Sequence, residues 1–125
     1  MRSGRLVFDG ACGFCTRSAG WLQAVDRGRH IDLVPLQAPG VPESIGASRD
    51  ECEQALQWLG DDGRRRSGAD AVNAAVSAVL GTSLPLGLYR LTSWPQERVY
   101  RWVAEHRQLL PGATPFCSEH PEACA

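Results

Sequence analysis

The apolar and polar positions divide the chain into short segments that switch between strand and helix periods. Leu6, Val7 and Phe8 are apolar and β-favouring, which predicts a strand over residues 5–9. Gly10, which can take turn angles barred to other residues, breaks it. From there the period turns helical. Cys15, Ala19, Leu22 and Val25 share one face of a predicted helix over residues 12–26. Ile31 to Leu36 reads as a second strand, and Pro35, which lacks a ladder donor, makes it an edge strand or ends it. Residues 37–50 contain Pro39, Gly40, Pro42 and Gly46 and read as a connection.

Periodicity alone leaves residues 53–59 open between helix and strand. Asp61-Asp62-Gly63 is a hairpin signal and favours antiparallel strands at Ala55 to Leu59 and Arg64 to Ser67. Gly68-Ala69-Asp70 opens a second helix, with Val72, Ala75, Val76 and Val79 on one face and Asp70 as its N-cap. Residues 81–94, with Gly81, Pro85 and Gly87, show no clear period. Pro95 suits a first helical turn, and Val99, Trp102, Val103, His106 and Leu110 form the stripe of a third helix. From Pro111 the chain is loop-like. The expected organisation is a domain over residues 1–110 and a tail over 111–125 that carries Cys117, His120 and Cys124.

Length and charge narrow the function. A chain of 125 residues fits one domain with a real core. A formal charge of −1 argues against electrostatic nucleic-acid binding, and no apolar run reaches the roughly 20 residues of a membrane span. All 13 basic residues are arginine, which reads as coding bias. The N-terminal residues lead straight into a strand with no signal-peptide pattern, so a cytoplasmic protein is expected. In that compartment a Cys-X-X-Cys is more often catalytic or metal-binding than a structural disulfide.

Cys12 and Cys15 stand at the junction of the first strand and first helix. The free N–H groups and dipole of a helix start stabilise an anion there. In such motifs a cysteine pKa falls to roughly 3.5–7.5, and the thiolate is the species that attacks disulfides. Cys12 is the expected nucleophile. Cys15, one turn on and under cover, is the expected resolving thiol. Gly13 is expected to keep the surface around Cys12 open, with Gly10 and Phe14 completing the substrate-facing loop. Asp9 has two readings: general base for Cys15, or acceptor for backbone N–H groups of the 10–12 turn.

The order β-α-β, β-hairpin, α predicts a parallel pair with a right-handed crossover, extended by antiparallel strands. A Cys-X-X-Cys at its first turn is the thioredoxin-like arrangement. Asp9-Gly10-Ala11-Cys12-Gly13-Phe14-Cys15 resembles the Asp-Gly-X-Cys-X-X-Cys signature of the DCC family of predicted thiol-disulfide oxidoreductases. Asp62-Gly63-Arg64, Ser67-Gly68-Ala69-Asp70-Ala71 and Tyr100-Arg101-Trp102-Val103-Ala104 resemble its hairpin, helix start and last helix, so the likeness spans roughly residues 5–110. It implies an α/β thioredoxin-like fold, a central mixed sheet flanked by helices and a general redox role. The implied partners are a disulfide-containing protein or low-molecular-weight thiol, and a thiol or reductase electron donor. No cofactor is implied. The helix start at Asp70 is similar to the one that binds a glutathione carboxylate in glutaredoxins. Two departures stand out: Cys52 to Leu59 holds no proline where thioredoxins place a cis-proline, and Phe14 stands where thioredoxins have proline.

The competing reading is structural. Cys117, His120 and Cys124, added to Cys12 and Cys15, supply enough soft ligands for a zinc or partner-binding module. A Cys117–Cys124 disulfide, a tail cysteine that resolves Cys12, and a frayed terminus are further readings of the tail. A c-type haem needs His at position 16, which is Thr16, and a Cys-X5-Arg phosphate loop needs Arg at 18, which is Ser18. A hydrolase built on Cys12 with His106 or His30 is the remaining nucleophilic option. Cys52, between Glu51 and Glu53, reads as an inert thiol. Arg64-Arg65-Arg66 reads as a solvated edge strand or a site for an acidic substrate, and Trp21 and Trp58 as packing residues.

Overall fold

The structure, a computed structural model, describes residues 3–124. Four strands form one mixed sheet in the order β2-β1-β3-β4. β1 (Gly4–Phe8) pairs in parallel with β2 (Ile31–Pro35), and helix α1 (Gly13–Val25) makes the crossover. β3 (Gln57–Gly60) runs antiparallel to β1, and β4 (Arg65–Ser67) antiparallel to β3 across the expected hairpin. β2 is an edge strand ending at Pro35, as the missing donor requires. This is the thioredoxin-like α/β arrangement.

Successive side chains of a strand point to opposite faces, so β1 feeds two cores. Leu6 joins Trp58, its cross-strand partner, with Ala71, Ala74, Ala75, Ala78 and Leu86. Val7 faces the other way, onto Leu36, Val41, Ile45, Ala47 and Cys52. The second core explains residues 37–50. They are not a plain connection: they hold the short helix α2 (Val41–Ser44) and lead into α3 (Arg49–Gln54), which cover that face. Ser48 and Glu51 cap α3 reciprocally in a capping box. Cys52 is buried within it.

The helical stripes differ from the valine-based expectation. In α4 (Ala69–Leu80) the alanines at 71, 74, 75 and 78 face the core, while Val72 lies at its margin. Small side chains let this helix lie close against the sheet. Its N-cap is Gly68, not Asp70; the φ of 64° there suits glycine, and a Cβ would stand 2.9 Å from Glu97 Oε1. Of residues 81–94, unclear from periodicity, those from Leu84 on belong to α5 (Leu84–His106), which is interrupted at Thr92 just before Pro95. The stripe predicted for this helix faces outward in part: Val99 and Trp102 are exposed, as are Val25 and Trp21 on α1. Trp21 is therefore not a packing residue; Arg17 lies over its ring. Among the described residues no helix is long and apolar enough to cross a membrane.

The tail is folded onto the body. A short helix, α6 (Phe116–Glu119), and a 3-10 turn (Pro121–Ala123) follow Pro111. The Phe116 ring meets Phe8 edge-on at 5.6 Å. The frayed-terminus reading is thereby overturned.

Two tryptophans separate core from surface. Trp58→Ala should cost about 3–5 kcal/mol because it empties the first core. Trp94, 70% exposed, should tolerate alanine within about 0.5 kcal/mol. Urea unfolding followed by far-ultraviolet circular dichroism of both variants checks the contrast.

Candidate functional site

Cys12 is the N-cap residue of α1, in extended conformation, and its Sγ accepts the backbone N–H of Cys15 at 3.2 Å. The sequence pattern therefore puts the sulfur where helix donors converge. Cys12 and Cys15 are both half-buried free thiols. Burial is the main cause that pushes the Cys15 thiol up to about 12; its hydrogen bond to Cys12 and the charge of Cys12 add to this.

Arg107, which the sequence reading did not single out, opposes that shift. One guanidinium nitrogen approaches Cys15 Sγ at 3.5 Å, and the other donates to Asp9 Oδ2 at 3.0 Å and to the Glu53 carbonyl at 3.3 Å. Burial works against its positive charge, but Cys15, Asp9 and Cys12 outweigh this and raise its pKa. A signal for Arg107 was present: Tyr100, Val103, Ala104 and Arg107 recur at helical spacing and line one cleft. The apolar stripe drawn through Trp102 and His106 pointed elsewhere.

Asp9 stands at the end of β1 with its carboxylate fully engaged. Oδ1 accepts from the Ala11 N–H at 3.0 Å and from Gln37 Nε2 at 2.8 Å. The turn-acceptor reading is thus observed, and Arg107 bridges the carboxylate to Cys15. Gln37 closes the loop from the other side, since its Oε1 accepts the Gly10 N–H at 3.0 Å.

The two glycines do other work than expected. Gly10 is not among the residues with positive φ; a Cβ on it would lie 2.6 Å from Cys117 Sγ. Gly13 does not leave an open surface. The tail backbone covers it, Ala113 N–H donating to its carbonyl at 3.0 Å, and a Cβ would stand 2.5 Å from the Ala113 oxygen. Both positions need glycine because the tail lies against them.

Two clefts meet at Phe14, Asp9 and Arg107. A polar one of about 440 Å³ contains Cys12 and Gly13 and is bounded by Leu110 and Gly112. A larger apolar one of about 730 Å³ runs between α1 and α5 over Leu6, Leu22 and Leu56, with Cys15 in its wall. Asp70 is a lining residue of neither. It pairs with Arg66 at 2.9 Å, and the α4 start is occupied by Glu97, which accepts the Ala69 N–H. Arg65 likewise pairs with Glu51. The cis-proline of thioredoxins has no counterpart: among the described residues there is no cis peptide bond, and before β3 the Leu56 N–H donates to the Tyr100 hydroxyl.

The zinc arrangement is not assembled. Cys117 and Cys124 are joined to each other in a disulfide, and among the described residues no three His, Cys, Asp or Glu side chains converge. Cys52 is buried, and burial first, then Glu51, raises its pKa, in keeping with an inert thiol.

The raised Cys15 pKa predicts a stability slope. The thiol ionises near 9.0 when unfolded and near 12 when folded, so its contribution is full below pH 9 and lost as pH climbs towards 12. Urea midpoints should fall across that window, and Cys15→Ser should flatten the fall. Cys52 and Tyr100, also raised, leave a residual slope. An unchanged slope in Cys15→Ser would contradict the assignment.

No curated protein and no solved structure gives a significant match to the chain. A family model described as DCC1-like thiol-disulfide oxidoreductase matches residues 6–113, which include the cysteine loop, Asp9, Gln37 and Arg107. The chain belongs to the DCC1-like thiol-disulfide oxidoreductase family.

Proposed function

We propose that Cys12 and Cys15 exchange a dithiol for a disulfide with a protein or low-molecular-weight partner, Cys12 attacking and Cys15 resolving. The observation that carries this reading is the Cys12 sulfur at the helix N-cap, accepting the Cys15 N–H while facing the polar cleft. The Cys12 thiolate attacks one sulfur of the partner disulfide, and the released partner thiolate takes a proton. Cys15 then loses its proton and attacks Cys12 Sγ. The second partner thiol leaves and a Cys12–Cys15 disulfide remains. A thiol or reductase donor restores the dithiol.

The order of steps has an electrostatic basis. Two of the causes that hold the Cys15 thiol up are the hydrogen bond and charge of Cys12. A mixed disulfide at Cys12 removes both. Arg107 stays, and its positive charge favours the Cys15 thiolate. Cys15 thus ionises more readily once the first step has occurred. Asp9 acts through Arg107, holding it by the 3.0 Å ion pair. It is a positioning residue in this reading.

With Cys15→Ser, oxidised glutathione should leave a stable mixed disulfide on Cys12, seen by peptide mass mapping; Cys12→Ser should leave none on Cys15. Adducts on Cys15 or Cys52 instead would reverse or remove the assigned roles. Arg107→Met should slow the resolving step on the order of tenfold, the loss expected for one charge-assisted hydrogen bond. Its pH–rate profile should shift upward, while the rate of first attack by Cys12 stays nearly constant. Stopped-flow measurement of both steps separates this from a general loss of structure.

A further inference from the structure

The tail holds a second sulfur pair beside the first. Cys117 and Cys124 form a disulfide while Cys12 and Cys15 are free thiols, so the chain contains both halves of an exchange reaction. Three hydrogen bonds lay the tail along the cysteine loop: Ala113 N–H to the Gly13 carbonyl at 3.0 Å, Phe116 N–H to Thr16 Oγ1 at 3.0 Å, and Cys117 N–H to the Gly10 carbonyl at 2.9 Å. Thr16 Oγ1 itself donates to the Cys12 carbonyl at 2.9 Å. Cys117 Sγ lies so near Gly10 that a Cβ there would be 2.6 Å away. Gly10 is two residues from Cys12, which places their Cα atoms within about 7 Å. Both tail cysteines are half-buried, Cys117 in the short helix α6 and Cys124 just after the 3-10 turn, so a small shift of α6 changes their distance from the loop.

We infer that Cys117–Cys124 is a second redox centre that exchanges its disulfide intramolecularly with Cys12 and Cys15. The inference rests on the reading of Cys12 as nucleophile. The Cys12 thiolate attacks Cys117 Sγ, the sulfur that faces the loop. The Cys117–Cys124 bond breaks, and its electron pair goes to Cys124 Sγ, which takes a proton. Cys15 gives up a proton and attacks Cys12 Sγ. The Cys12–Cys117 bond breaks, and Cys117 Sγ is protonated. The first pair is oxidised to a disulfide and the tail pair reduced to a dithiol, with two electrons and two protons balanced and no outside reactant. Gln37 Oε1, 3.6 Å from Cys117 Sγ, is an acceptor for the released thiol and joins the tail pair to the Asp9 network. The tail dithiol then carries the electrons away from the loop to an external disulfide, or the sequence runs in reverse.

The double variant Cys15→Ser/Cys124→Ser tests this by leaving Cys12 and Cys117 as the reacting sulfurs. In a glutathione redox titration with thiol trapping and mass mapping, a Cys12–Cys117 disulfide should form at lower oxidised glutathione than is needed to glutathionylate Cys12. Cys12 carrying glutathione with no Cys12–Cys117 bond overturns the relay and leaves the nucleophile assignment standing. Cys12 taking neither partner overturns both. In the wild-type protein, fully reduced and given limiting oxidant, redistribution of the disulfide between the two pairs should keep its rate across an order-of-magnitude dilution. A rate that falls with concentration means exchange between molecules and overturns the relay without recourse to any variant.

Discussion

The ion pair of Arg107 with Asp9 is the contact on which the site is assembled. Asp9 follows the last residue of β1, Cys15 lies in the first turn of α1, Glu53 is in α3, and Arg107 follows the last residue of α5. One guanidinium reaches all of them. Its partner side chain is only 13% exposed, so neither charge is fully hydrated. Removing one member of such a pair leaves the other poorly solvated, a larger cost than the pair is worth in stability. A contact of this kind is weak evidence for a stability role. The same contact sets the positive charge beside Cys15, which favours its thiolate.

The parts of the molecule governed by local rules were readable in the sequence. A three-residue apolar run bounded by glycine gave β1, Asp-Asp-Gly gave the hairpin, and Cys12 at the strand-to-helix junction became the N-cap. Parts governed by packing were not. In α4 the valines are more hydrophobic than the alanines, yet the alanines face the sheet because closeness, not side-chain size, decides there. In α5, Pro85 and Gly87 obscured a helix that tertiary packing on α4 sustains. Arg107 escaped because its value depends on partners nearly a hundred positions away along the chain. Periodicity can place such a residue on a face but cannot say what awaits it there.

The glycines around the cysteines show the same division. Their identity was legible; their purpose was not, because it depends on the tail. The expectation of an open surface at Gly13 holds only where nothing approaches it. The tail backbone does approach, and both flanking glycines are the size its passage allows. The cysteine loop is therefore partly covered by residues 112–117, and Gly112 and Ala113 also wall the polar cleft that Cys12 lines.

Internal groups occupy a second place on the scaffold as well. The α4 start is the helix start whose likeness to glutaredoxins implied a carboxylate contact. Here Glu97 already accepts the Ala69 N–H, its other oxygen accepts from the Tyr89 hydroxyl at 2.5 Å, and Gly68 leaves the room for it. An external carboxylate would have to displace an internal one that is held by a second hydrogen bond. The two clefts share Phe14, Asp9 and Arg107, with Cys15 lining the apolar one and Cys12 the polar one. Under the proposed thiol-disulfide role, a partner carboxylate that approached the α4 start would meet Glu97 already seated there.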